Sequence, residues 1–279
     1  MIIVNDLGAK MENSEITELQ KLFAQKIDEA QMVLVGIGEE FNEDFADIGK
    51  FPLLMSALEE VDTNPTIEWV VPFLEKRYIE KHDEGRLISA YGNLYNLIKD
   101  KDYFIVTTCI DGNIGKAGFD SERIVEPCGS YKMLQCSKAC TEDFTSPDDI
   151  VKLAEQALLD GVGLDSLEQP VCRLCGKPLV FNNILCERNY VESGYRPQWE
   201  KYTDWLQHTL NKKLCVIELG VGMGLPSVIR WPFEKVAYYN EKADFFRINE
   251  QLHHMTKELE KKGISVMKNA VDFLNAWNA

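Results

Sequence analysis

Apolar positions recur along this chain with two periods, and their alternation predicts the architecture. Over residues 15–30, Ile16, Leu19, Leu22, Phe23, Ile27 and Ala30 have the spacing of an amphipathic helix, and Ser14 can cap its start. A solid apolar run at 32–35 follows and stops at Gly36-Ile37-Gly38, so a strand enters a glycine turn, the opening of a nucleotide-binding βα unit. Residues 47 to about 100 read as helical, anchored by Trp69, Phe73, Tyr78, Tyr91, Tyr95 and Leu97. Strands are predicted at 103–107, 124–125 and 214–219, the last running into Gly220-Val221-Gly222-Met223-Gly224. Helices at 147–159 and 199–210 separate them. Farther on, the pattern predicts helix 226–233, strand 237–239, helix 243–262, strand 264–267 and helix 270–277. Strands alternating with helices imply an α/β fold, a Rossmann-like doubly wound and mostly parallel sheet.

Length and charge narrow the picture. A chain of 279 residues is long for one domain, so a large and a small domain are expected. Residues 15–127 and 191–279 would form the large Rossmann-like domain, with 47–100 its helical part, and 128–190 the small module. The net charge of −15 lacks the basic footprint that nucleic-acid binding requires. No cationic leader precedes a long apolar run at the N-terminus, and no stretch approaches the length of a membrane span. Eight cysteines without a secretion signal fit a reducing compartment, so a cytoplasmic protein is expected.

Four of those cysteines carry the most specific chemistry. Cys136 and Cys140 form C-SKA-C, and Cys172 and Cys175 form C-RL-C followed by Gly176. Two close thiol pairs supply the four sulfurs of a tetrahedral structural Zn²⁺ site, and Gly176 lets the second knuckle curl back under the metal. The competing reading is four buried or redox cysteines.

GIG at 36–38, TTCIDGNIGKAGF at 107–119, EPCGS at 126–130, the four cysteines and ELGVGMGLPSVIRWPFE at 218–234 occur in an order that resembles the sirtuin (Sir2-like) family. These are NAD-dependent deacylases and ADP-ribosyltransferases, and the resemblance covers about residues 15–279. The wording is most similar to a divergent bacterial branch that includes the macrodomain-linked sirtuins, whose members are associated with protein ADP-ribosylation. The resemblance implies that NAD, or ADP-ribose, lies against Gly36, Gly38, Thr108, Cys109, Asp111, Gly220, Val221, Gly222, Asn240 and Ala270. It further implies a structural zinc on Cys136, Cys140, Cys172 and Cys175, and a protein or peptide acceptor in the cleft.

This chain departs from the family pattern at several of these positions. The family's Gly-Ala-Gly-x-Ser becomes Gly36-Ile37-Gly38-Glu39-Glu40. A carboxylate beside a diphosphate is repelled by about 4 kcal/mol at a separation of about 4 Å. Glu39 therefore points away, or the loop holds no phosphate. Thr108 and Cys109 stand for the Gln and Asn of Gln-Asn-x-Asp, and Asp111 keeps the acid. Cys128 stands where the family has its catalytic histidine. A cation such as Arg123 or Lys132 beside it would make it a thiolate base or nucleophile; otherwise it is a packed thiol. His82, His208, His253 and His254 lie elsewhere and are expected on helical surfaces. Gly220-Val221-Gly222 replaces Gly-Thr-Ser. Two readings follow. One is an enzyme, with Asp111 and Cys128 as catalytic candidates, that cleaves nicotinamide from NAD and transfers ADP-ribose rather than performing robust lysine deacetylation. The other is a non-catalytic member that binds NAD, ADP-ribose or a related nucleotide and acts through partners.

Overall fold

A computed structural model describes residues 13–42, 51–81 and 85–278. Its centre is a sheet of six parallel strands, β1 (Met32–Ile37), β2 (Asp102–Thr107), β3 (Ile124–Val125), β6 (Leu214–Leu219), β7 (Ala243–Ile248) and β8 (Gly263–Val266), in the order β3-β2-β1-β6-β7-β8. The chain begins in the middle, runs outward through β2 and β3, then returns to lay β6 against the other side of β1. Val33, Val35 and Ile37 face one side of the sheet, and Met32 and Leu34 the other. Both sides are covered, so the central strands read as unbroken apolar runs rather than as alternation. Helices α1 (Asn13–Glu29), α4 (Arg86–Ile98) and α8 (Ala270–Asn275) cover the first side, where Phe23 meets Phe246 and Phe273 edge to face. On the second side α6 (Arg196–Gln207) and α7 (Arg230–Tyr239) bury Tyr202, Phe233 and Ala237.

The remaining elements make a second body. An antiparallel ribbon of β4 (Gly129–Cys136) and β5 (Leu179–Asn183) packs Tyr131, Leu134 and Phe181 on Phe73, Tyr78 and Val151. Helices α2 (Pro52–Thr63), α3 (Val71–Lys81) and α5 (Asp148–Leu159) share a core of Leu54, Ala57, Leu74, Ala154 and Ala157. Residues 51–81, grouped by sequence with the large domain, thus pack against the helix of the cysteine module. The expected helical stretch 47–100 is three helices and a 3-10 segment, Pro65–Val70; residues 47–50 and 82–84, His82 included, lie outside the described residues.

Two assignments beyond residue 224 are corrected. Tyr238 and Tyr239 are not a strand but the last turn of α7, which starts at Arg230. Ile229, Phe233 and Ala237 recur at helical spacing and carry the helix through them. Residues 243–248 open no helix: they are β7, paired along its whole length with β6. His253 and His254 lie in the loop after β7 and His208 just after α6, not on helical surfaces.

Candidate functional site

The loops after β1 and β6 part company where the strand order reverses, at the carboxyl edge of the sheet. In doubly wound sheets this is the ligand crevice. Gly38 is required there because a Cβ would sit 2.5 Å from the Val221 Cα, so the two loops interlock. Gly36 is equally constrained, since a Cβ would run into Ile229 under α7.

The loop after β2 closes one end of the crevice. Thr108 N–H donates to Ile37 O (3.0 Å), and the Cys109 thiol to Gly38 O (3.3 Å). Asp111 is buried and accepts from Asn113 N–H (2.9 Å), a turn that fixes its carboxylate. Tyr131 N–H donates to Ile110 O (3.0 Å), so the same loop is pinned to β4. Cys109 is pushed up by burial and by Asp111, and the buried Tyr91 hydroxyl by burial, Cys109 and Asp111. Burial likewise pushes the Cys128 thiol up to about 11. The two nearby cations are both engaged elsewhere. Arg123 Nη1 pairs with Asp102 Oδ1 at 2.7 Å, and Lys132 Nζ with Glu126 Oε2 at 2.6 Å. Cys128 is therefore a packed, protonated thiol at neutral pH.

The first loop uses its own amides. Gly38 N–H donates to Leu219 O (2.9 Å), Glu40 N–H to Gly220 O (3.2 Å), Phe41 N–H to Gly38 O (2.9 Å) and Asn42 N–H to Glu39 O (3.1 Å). The carboxylates of Glu39 and Glu40 then reach the neighbouring loops. Glu39 Oε1 accepts from Gly224 N–H (3.1 Å), and a Cβ on Gly222 would fall on this carboxylate. Glu40 accepts from Glu250 N–H (2.8 Å) and from Ala270 N–H (2.7 Å). Burial raises the Glu40 carboxyl against those two bonds, which lower it.

Asn240 is a correction. It follows α7 and precedes β7, at the amino edge of the sheet, and donates its amide to Thr209 O (3.0 Å) and Lys212 O (3.2 Å). At the carboxyl edge stands Asn249, missed because β7 was read as helix. It donates to Val221 O (3.2 Å) and accepts from Gln251 and Leu252 N–H (2.9 and 2.6 Å), tying two crevice loops together.

The four predicted metal ligands converge at the end of the β4–β5 ribbon. Their sulfurs all lie within 4.8 Å of one another, with Cys136–Cys175 and Cys140–Cys172 at 3.5 Å and Cys140–Cys175 at 3.3 Å. A tetrahedron with Zn–S near 2.3 Å has edges of roughly 3.8 Å, so the set fits zinc. Gly176 has φ +67° and its amide closes on Cys172 O at 2.8 Å, the tight turn expected of C-RL-C. In the longer first knuckle Ala139 takes φ 49°, which brings Cys140 back toward Cys136.

No protein-family model matches the chain. It is 24% identical over 278 residues to a protein ADP-ribosyltransferase of Staphylococcus aureus (strain Mu50 / ATCC 700699), covering 91% of this chain and 85% of the relative. Among solved structures it is similar to Sir2 bound to an acetylated peptide, with TM-score 0.53, 15% identity, and 91% and 95% of the two chains covered. It is also similar to a Sir2 homologue in complex with NAD, with TM-score 0.53, 12% identity, and 97% and 94% covered. The chain has the sirtuin fold. One of these neighbours is solved with NAD, and the residues present here would fit that cofactor unevenly. Asp111 and Thr108 offer polar groups at one end of the crevice. Beside Gly36 and Gly38, where the family resemblance implies a diphosphate, the crevice presents carboxylates and engaged amides, which oppose that anion.

Proposed function

We propose that this chain is an NAD-using ADP-ribosyltransferase acting on a protein or peptide acceptor. The observation that carries the reading is its likeness to the S. aureus protein ADP-ribosyltransferase along 91% of its length. NAD would supply the ADP-ribosyl group and release nicotinamide. Asp111, whose carboxylate is fixed by its turn with Asn113, is the group that would meet a hydroxyl or carboxamide of that ligand. Cys128, protonated at neutral pH, offers no base where the family has its histidine, so robust lysine deacetylation is not expected. The neighbour solved with an acetylated peptide supports a peptide acceptor.

The test is incubation of zinc-replete protein with NAD labelled in its adenylate half, together with candidate acceptor proteins. Nicotinamide release with label moving onto protein is the expected result. Absence of release from the wild type and from the Glu39 and Glu40 variants below would overturn the reading and leave a non-catalytic scaffold.

A further inference from the structure

We infer that Glu39 and Glu40 are the chain's own occupants of the diphosphate position, and that they set the charge a ligand can carry there. The inference rests on the reading that a dinucleotide is met in this crevice. Three backbone N–H groups from three separate loops, those of Gly224, Glu250 and Ala270, are satisfied by two carboxylates from the loop after β1. Backbone donors turned toward one crevice would suit the oxygens of a diphosphate; here each already holds an acceptor of the same charge. The glycines beside them fit this arrangement. A Cβ on Gly220 would approach the Glu40 Cβ to 2.5 Å, and Gly222 leaves room for the Glu39 carboxylate. Gly220 (φ +63°) and Gly222 therefore serve the close approach of protein carboxylates.

Most of the neighbouring positive charge is engaged. Arg230 is buried and spends Nη2 on Val221 O (2.6 Å) and Leu252 O (3.0 Å), its charge already acts on Glu39, and its buried Nε has no partner among the described residues. Arg247 is committed to Glu218 and Glu234, and Arg86 pairs with Asp272 at 2.7 Å. A diphosphate must therefore displace both glutamates or share the crevice with them. A ligand without phosphate charge meets no such opposition.

Glu39→Gln, Glu40→Gln and the double variant separate charge from shape, since Gln retains an acceptor oxygen for the same amides. Zinc-replete wild type and variants are titrated calorimetrically with ADP-ribose and with adenosine. ADP-ribose is expected to bind the double variant at least about tenfold tighter than the wild type, while adenosine binds all four proteins alike. Equal ADP-ribose affinity for wild type and double variant, a parallel gain for adenosine, or no ADP-ribose binding by any protein would overturn the inference. Its failure is distinct from that of the transferase reading. A double variant that binds ADP-ribose tightly yet releases no nicotinamide from NAD retains the inference and ends that reading. A wild type that binds and cleaves NAD as well as the variants does the reverse.

Discussion

Cys128 shows how environment outweighs position. The family resemblance sets it where a base would stand, but reactivity belongs to the thiolate, and among the described residues burial disfavours one. Raised from 9.0 to about 11, this thiol carries on the order of 100-fold less thiolate at pH 7.5 than an unburied cysteine. Iodoacetamide labelling followed by peptide mass spectrometry should find Cys128 slower than an unfolded-state cysteine by at least that factor, with the gap closing as pH rises toward 11. Labelling at the ordinary rate would mean that a cation or an open cleft activates the sulfur. The glutamate pair makes the same point from the other sign. Two adjacent acids in a glycine turn look like a solvated tip, yet each finds backbone donors on other loops.

At the scale of elements, the cysteine module is a ribbon with one end tied by packing and the other by sulfur. Near β4's start the ribbon sits on the Phe73, Tyr131 and Phe181 cluster, and Gly129 crosses so close to Asn182 O that no side chain fits. At the far end the knuckles rest on few backbone bonds, among them Ser137 N–H to Pro178 O (2.9 Å) and Leu179 N–H to Pro170 O (2.8 Å). Metal binding is what holds the four sulfurs as thiolates, so without it they regain protons and the tie between the two knuckles is lost. Chelating zinc should therefore abolish amide-exchange protection at 136–140 and 172–179 while leaving β1 and β6 protected. Loss of protection across the six-stranded sheet would show instead that metal binding is coupled to the whole fold.

For the whole molecule, a buried ion cluster joins β6, β7 and α7 on one face of the sheet. Arg247 of β7 is 1% exposed and forks onto Glu218 of β6 at 2.7 and 3.2 Å, with Glu234 of α7 at 2.7 Å and His254 O at 2.7 Å. Burial pulls Glu218 up and Arg247 opposes it. Arg247→Met keeps the bulk but strands two carboxylates, and is expected to cost about 3–5 kcal/mol in chemical denaturation. Glu218→Gln in the same background should recover part of that loss, because it removes one of the stranded charges. A neutral Arg247→Met change would mean that water already reaches the cluster.

What the sequence determined by itself is what short-range spacing can fix. The paired cysteines and their glycine, the strand-into-glycine runs at 32–38 and 214–220, and the amphipathic faces of α1 and α5 depend on neighbours a few residues away. Helix and strand periods therefore gave the α/β class directly, and cysteine spacing gave the candidate metal ligands. Tertiary structure decided the rest. The run Ala243–Ile248 carries Asp244 and Arg247, which breaks the look of a buried strand, and only pairing with β6 supplies Glu218 to neutralise the arginine. With β7 misread, Asn240 was placed at the wrong edge and Asn249 was overlooked. The crevice itself joins the Glu40 carboxylate to amides 210 and 230 residues away. No local pattern encodes such contacts, because they exist only once the sheet has brought four loops to one edge.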